Sequence, residues 1–183
     1  MEFRSQPLNL LARSDWDILL CQKEIFERRW SKKRLFPYKS TKRGGKKLVF
    51  DKITDLTWQQ SGSPAPVTFG EAKNYIRELN KQRFAKCNDW RFPTLNEAMT
   101  LLTPCKDDHN LYVDAEFDAT QKWIWTNDES SDETPWVVAF VAGNYYVPAD
   151  KRNFVRAVRG EFWVPGDDSV DDEFDSTILA ELL

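Results

Sequence analysis

Few side chains in this sequence are placed to do chemistry together. The single histidine, His109, follows Cys105 by four residues, a spacing that could pair an imidazole with a thiol. Its surroundings, Pro104 and the run Lys106-Asp107-Asp108-His109-Asn110, read instead as a polar surface loop with no third group to orient a base. Gly44-Gly45 followed by Lys46-Lys47 lacks the spacing of a phosphate-cradling loop. The three cysteines, Cys21, Cys87 and Cys105, are an odd number without a CxxC pair, which predicts reduced, buried thiols rather than a disulfide framework or a zinc knuckle. Asn127, Asp128, Glu129, Asp132 and Glu133 bring oxygens together in one acidic stretch, the kind of ligand Ca²⁺ takes. These residues lead to the expectation of a non-catalytic protein with no cofactor and no metal, a calcium-assisted site at 127–133 being the alternative.

Recognition chemistry is better represented. Asn144, Tyr145, Tyr146, Asp150, Lys151, Arg152 and Asn153 form an aromatic and charged stretch around a hairpin, and Tyr and Arg are favoured at protein interfaces. Tyr145 and Tyr146 are adjacent in an expected strand, so the pattern allows one to face the core and the other water. A second candidate is the basic connector. From Arg28 to Phe50 every charge is positive, beginning Arg28, Arg29, Lys32, Lys33, Arg34, with Trp30, Phe36 and Tyr38 between the cations. Such a segment can meet nucleic acid, an acidic protein surface, or the chain's own acidic end.

The charge is strongly polarised along the chain. Residues 1–50 hold 13 Lys/Arg and 5 Asp/Glu, residues 51–160 hold 13 and 16, and residues 161–183 hold none and 8, although the whole 183-residue chain is only −3. The acidic segment ends in Phe174, Ile178, Leu179, Leu182 and Leu183 at helical spacing, so it reads as either a docking helix or a frayed terminus. No run of apolar residues is long enough for a membrane span or a signal peptide, which gives an expectation of a soluble, cytoplasmic protein.

The elements that must hold these residues are legible in outline. Ser14 with Asp17 opens an expected helix over 14–30 carrying Trp16, Leu19, Leu20, Ile25, Phe26 and Trp30. Short strands are expected at 48–50 and 56–58. Capping boxes Thr68/Glu71 and Thr94/Glu97 predict helices from 68 to about 80 and from 94 to about 104, because each satisfies orphan amides of a first turn. Strands follow at 122–126, 136–142, 145–147 and 154–159, with residues 126–135 as an acidic loop and Ala142-Gly143-Asn144 as a turn. Helices followed by an antiparallel sheet make an α+β domain. The expected division is 1–47 as helix and connector, 48–160 as the folded domain, and 161–183 as acidic tail.

Several strings in this order resemble the Lcl C-terminal domain family. They are Val49-Phe50-Asp51-Lys52-Ile53-Thr54-Asp55-Leu56-Thr57-Trp58-Gln59-Gln60, with Asp55 where the family pattern usually has Gly, then Asp89-Trp90-Arg91-Phe92-Pro93-Thr94-Leu95-Asn96-Glu97, Trp123-Ile124-Trp125-Thr126, Trp136-Val137-Val138-Ala139-Phe140, Gly143, and Val155-Arg156-Ala157-Val158-Arg159. The resemblance implies a C-type-lectin-like fold, a mixed, mainly antiparallel twisted sheet with two helices and its ends brought together. Such domains also resemble the variable proteins of diversity-generating retroelements, whose ligand surface corresponds to residues 139–153, and distantly the formylglycine-generating-enzyme fold, whose late cysteine pair has no counterpart here. The sugar motif of true C-type lectins is missing too, Thr134-Pro135-Trp136 standing in its place.

The same strings have structural roles. Trp90 to Thr94 reads as a rigid entry to a capped helix, and Trp123 and Trp125 share a face as core aromatics. Arg156 and Arg159 point to opposite faces, one of them toward a carboxylate such as Asp89 or Glu97. A fold does not fix a ligand. The expected function is a module that binds a protein partner through 139–153 and the charged termini, with glycan or nucleic acid as the alternatives.

Overall fold

Residues that alternate along each strand fall into rows across the sheets, and those rows define two cores. The computed structural model describes residues 38–160 apart from 53, 104, 131–132 and 149–151. Along the chain they form β1 (Tyr38–Arg43), β2 (Lys46–Asp51), β3 (Leu56–Gln59), α1 (Phe69–Lys81), a 3-10 turn (Phe84–Lys86), α2 (Leu95–Met99), β4 (Trp123–Glu129), β5 (Pro135–Ala139), β6 (Asn144–Tyr146) and β7 (Val158–Arg159). The strands make two antiparallel sheets, ordered β1-β2-β3-β7 and β4-β5-β6. The class is α+β, as expected, with two small sheets where a single one was expected. Pairing of β3 with the last strand, β7, brings the two ends of the domain together.

In the first sheet Val49 opposes Trp58 and Trp58 opposes Val158. In the second, Ile124, Val138 and Tyr145 form one row. These six side chains lie in the same core, with Leu95, Ala98 and Leu101 from α2 and the turn after it. The opposite row of the second sheet, Trp125, Val137 and Tyr146, packs into the other core with Ala72, Ile76 and Leu79 of α1. Period-2 alternation therefore sends consecutive residues of one strand into different cores.

Both capping boxes form. Thr68 caps α1 and Thr94 caps α2, each through reciprocal bonds with the glutamate three residues on. The Thr68 amide and hydroxyl, donating to the Glu71 carboxylate, hold that carboxyl below its ordinary range. The second helix has five residues, shorter than expected, and its chain goes on in turns at Thr100 and Leu101. Tertiary bonds anchor it. Glu97, 0 % exposed, accepts from Arg91 Nη1 at 2.7 Å, Arg91 Nη2 at 2.8 Å and the Thr94 amide at 2.8 Å. Asp128, also fully buried, accepts from the Leu95 amide at 2.6 Å.

Three expected elements change. Residues 38–47 of the basic connector are β1 and the start of β2, joined at Gly44-Gly45, whose φ values are 54° and 74°; a tight turn needs that freedom. The acidic loop expected at 126–135 is largely strand, because β4 runs on to Glu129 and Asp128 turns inward to α2. Most of the strand expected at 154–159 has no ladder. Ser63 and Gln59 hold that segment instead, the Val155 amide donating to Ser63 Oγ at 3.0 Å and the Ala157 amide to Gln59 Oε1 at 3.1 Å. The expected helix over 14–30, the cations Arg28, Arg29, Lys32, Lys33 and Arg34, and the acidic segment 161–183 lie outside the described residues.

Asp55 adopts φ 56°, the left-handed backbone at which a glycine is unstrained, which explains the family preference there. Arg159 Nε donates to Asp89 Oδ1 at 2.8 Å, one of the two carboxylates expected to receive an arginine. Arg156 is buried against rings instead, with its guanidinium 4.8 Å from the Phe117 centroid and 5.5 Å from that of Phe140. Burial pushes Arg156 down to about 9, opposed by the nearby Asp118. It therefore keeps its charge at neutral pH.

Glu97→Gln leaves Arg91 without its charged partner at the root of α2. The expected loss is about 3 kcal/mol of unfolding free energy, read as a lower urea midpoint at unchanged slope. A change under about 0.5 kcal/mol would mean that the pair is incidental.

Candidate functional site

Trp123 and Trp125 share one face of β4, the first paired with Ala139 and the second with Val137. Phe69, at the start of α1, covers the Trp125 end of that face, its ring 5.4 Å from the indole, and Trp125 Nε1 donates to Val67 O at 3.0 Å. Trp125 is buried and Trp123 is only partly so. The uncovered end of the face opens as a cleft of about 390 Å³, walled by Trp123, Val141, Asn144, Tyr146, Arg152 and Asn153 among others.

The hairpin shapes this cleft. After β5 the chain turns through 140–143, the Gly143 amide donating to Ala139 O at 2.9 Å. Gly143 has φ 66°, and a Cβ there would lie 3.0 Å from the Tyr112 ring. The turn thus calls for glycine on both backbone and packing grounds. It leaves Val141 37 % exposed, and Val147 past the end of β6 is 38 % exposed. Val141 and Val147 are the exposed large hydrophobic side chains among the described residues.

The residues expected to form the contact surface divide. Asn144 and Arg152 are exposed and Tyr146 is half-buried on the cleft wall. Tyr145 points the other way, 5 % exposed, with its ring 5.5 Å from Trp136 in an edge-on contact. Its ring is core, the outcome that strand alternation allowed for one of the two tyrosines. Asn153 is 1 % exposed, so its side chain is a wall of the cleft rather than a projecting contact. Its backbone bridges Val67 in both directions, at 2.9 and 3.0 Å. Asp150 and Lys151 lie outside the described residues.

Two features carry polarity into the cleft. Arg152 stands on the rim, with Nη2 3.8 Å from the Glu71 carboxylate. Asn153 Nδ2, although buried, has no hydrogen-bond partner among the described residues. A buried amide donor left unmade is costly, and this one belongs to a residue that lines the cleft. From the sequence Asn153 is only one polar residue of the hairpin and Trp123 reads as core. Val141 and Val147 carry no signal there, since exposure at a sheet end has no periodic signature.

The other candidate chemistries are dispersed. Cys87 is buried, as expected, but Cys105 is exposed, because the turn beyond Thr103 carries it outward with Thr103 Oγ1 donating to its carbonyl. His109 is exposed, with Nδ1 3.4 Å from Asp107. Of the acidic stretch, Asp128 is committed to the α2 amide, Glu133 is exposed and Asp132 lies outside the described residues. Among the described residues no cluster of three or more His, Cys, Asp or Glu is arranged to hold a metal. Among them, too, no helix is long and apolar enough to cross a membrane.

Two changes separate the roles of the cleft wall. Asn153→Leu removes a donor that the described residues leave unmade, so it should shift stability by less than about 1 kcal/mol. Gly143→Ala must hold a left-handed backbone against Tyr112 and should cost about 1–2 kcal/mol. Thermal unfolding of both variants checks the order, and a larger loss for Asn153→Leu would show that the amide has a structural partner.

Residues 47–159 match the model of the Lcl C-terminal domain family, more than half of the 183 residues. No curated protein and no solved structure matches the chain.

Proposed function

The chain belongs to the Lcl C-terminal domain family, and from that premise we propose that it is a non-catalytic binding module that receives a segment of a protein partner in the cleft beside β5 and β6. The observation that carries this reading is the buried Nδ2 donor of Asn153, unmade among the described residues, on a residue that lines the cleft with partly exposed Trp123 and Tyr146. A peptide carbonyl supplies the acceptor that this donor lacks. An apolar side chain of the same segment fills the space between the two rings and Val141, and an acidic neighbour meets Arg152 on the rim. Aromatic walls around a few fixed polar groups are the usual make-up of a specific site.

The dispersion of His109, Cys105 and the acidic residues supports binding over catalysis, since among the described residues no nucleophile is set beside a base.

The test is a displayed peptide library panned on the full chain. A consensus with one large apolar residue beside an acidic one is expected. Its capture should fall at least about tenfold, or 1.4 kcal/mol, in Arg152→Ala/Val141→Ser and again in Asn153→Leu, with melting temperatures close to the parent. Selection of no consensus, or capture indifferent to these changes, would overturn the reading, as would preferential capture of glycans on an array.

A further inference from the structure

The tip of the β1–β2 hairpin gathers more positive charge than any role described above uses. Lys42, Arg43, Lys46 and Lys47 flank Gly44-Gly45, and the 3-10 turn beside them adds Arg83 and Lys86. All but Arg43 are exposed. The two pieces are packed together. Arg43 Nη1 lies 3.4 Å from Cys87 Sγ, Lys46 Nζ is 5.8 Å from the Phe84 ring centroid, and a Cβ on Gly44 would sit 3.5 Å from Lys86 Cγ. The turn holds Arg83, Ala85 and Lys86 at φ 49°, 53° and 60°. Three left-handed non-glycine residues in four are strained and persist only where packing holds them. The hairpin tip and the turn thus gather six cations: Arg43 and Lys46 share the hairpin face that meets Arg83 and Lys86, and Lys42 and Lys47 border it from the other.

We propose that this face is the docking site of the chain's own acidic segment, with Asp167, Asp168, Asp171, Asp172, Glu173 and Asp175 lying across it. The charge is complementary and exclusive: residues 161–183 hold eight acids and no base. The reach also fits. Arg159 pairs with Thr57, and Gly160 follows beside Leu56, which is paired with Asp51 at the far end of β2. From there to Lys46 is about 17 Å along β2 and two strand spacings of about 4.8 Å across, or roughly 20 Å in all. The seven residues from Gly160 to Asp167 span at most about 24 Å. The acidic run therefore begins where the positive face begins, and tethering gives it an effective concentration near the millimolar range. In this arrangement the segment screens the face from other polyanions and yields it to one of higher charge density. The hairpin tip is separate from the cleft beside β5 and β6, so this inference stands or falls independently of the function proposed above.

The experiment uses the full chain at low concentration with two readouts. Zero-length carbodiimide coupling, followed by peptide mass spectrometry of a mixture of isotope-labelled and unlabelled chains, should join Lys42, Lys46, Lys47 or Lys86 to residues 167–175 within one chain. High salt should suppress these links, since exposed ion pairs are screened. Amine acetylation should proceed about threefold faster at the same lysines, the scale of a few exposed ion pairs, in a variant combining Asp167→Asn, Asp168→Asn, Asp171→Asn and Asp172→Asn. Lys73, Lys106 and Lys122 serve as unchanged references. Equal acetylation in both chains, links made only between chains, or links from the acidic run only to Lys32 and Lys33 would each overturn the proposal.

Discussion

A fully buried carboxylate must be paired, and the pairing of Glu97 organises much of this fold. Its two oxygens accept both terminal nitrogens of Arg91 and the Thr94 amide. Arg91 in turn bridges Val158 through its backbone, the two exchanging bonds at 2.9 and 3.0 Å. The neighbouring residues repeat the theme: Asp89 holds Arg159, the Trp90 backbone exchanges two 2.8 Å bonds with the Asn80 side chain, and the Asn127 amide donates to Pro93 O. Nine consecutive residues thus tie α1, α2, β4 and β7 to one another. A five-residue helix is too short to persist alone. It stands because its first turn is filled by Glu97 and Asp128 and its inner side by two sheets.

That dependence explains which elements are legible from sequence and which are not. Capping boxes are local, so Thr68/Glu71 and Thr94/Glu97 announce their helices directly, and the period-2 runs at 123–126 and 136–139 announce strands. Length is set elsewhere. The end of α2, the run of β4 past Thr126 and the lack of a ladder at 154–157 all depend on partners far along the chain, Ser63 and Gln59 for the last, about which local signals are silent. β1 was hidden for another reason. Its residues are Tyr38, Lys39, Ser40, Thr41, Lys42 and Arg43, and three bases in six mask the alternation that leaves Tyr38 buried.

The cleft was legible in position but not in composition. Residues 139–153 do frame it, and adjacency alone divides Tyr145 from Tyr146. What makes it more than a sheet end is the placement of α1, which covers Trp125 and stops short of Trp123. No spacing in the sequence encodes that boundary. The unmade donor of Asn153 is less visible still, because a free amide is a property of everything that fails to surround it.

The two surfaces proposed for recognition rest on different physics. In the cleft the aromatic rows of the second sheet and the glycine turn at 143 set a shape, and the binding proposed there would draw on fit and on one unmade hydrogen bond. At the β1–β2 tip, backbone geometry serves to bring like charges together, a costly arrangement that an anion relieves. Arg83, Ala85 and Lys86 accept left-handed backbones so that the turn can lie against the hairpin, and the strain is sustained by the packing of Phe84 on Trp90, ring centroids 5.6 Å apart. Trp90 belongs to the segment that Glu97 anchors. The hydrogen-bonded network that shapes the core therefore also holds the positive face in place.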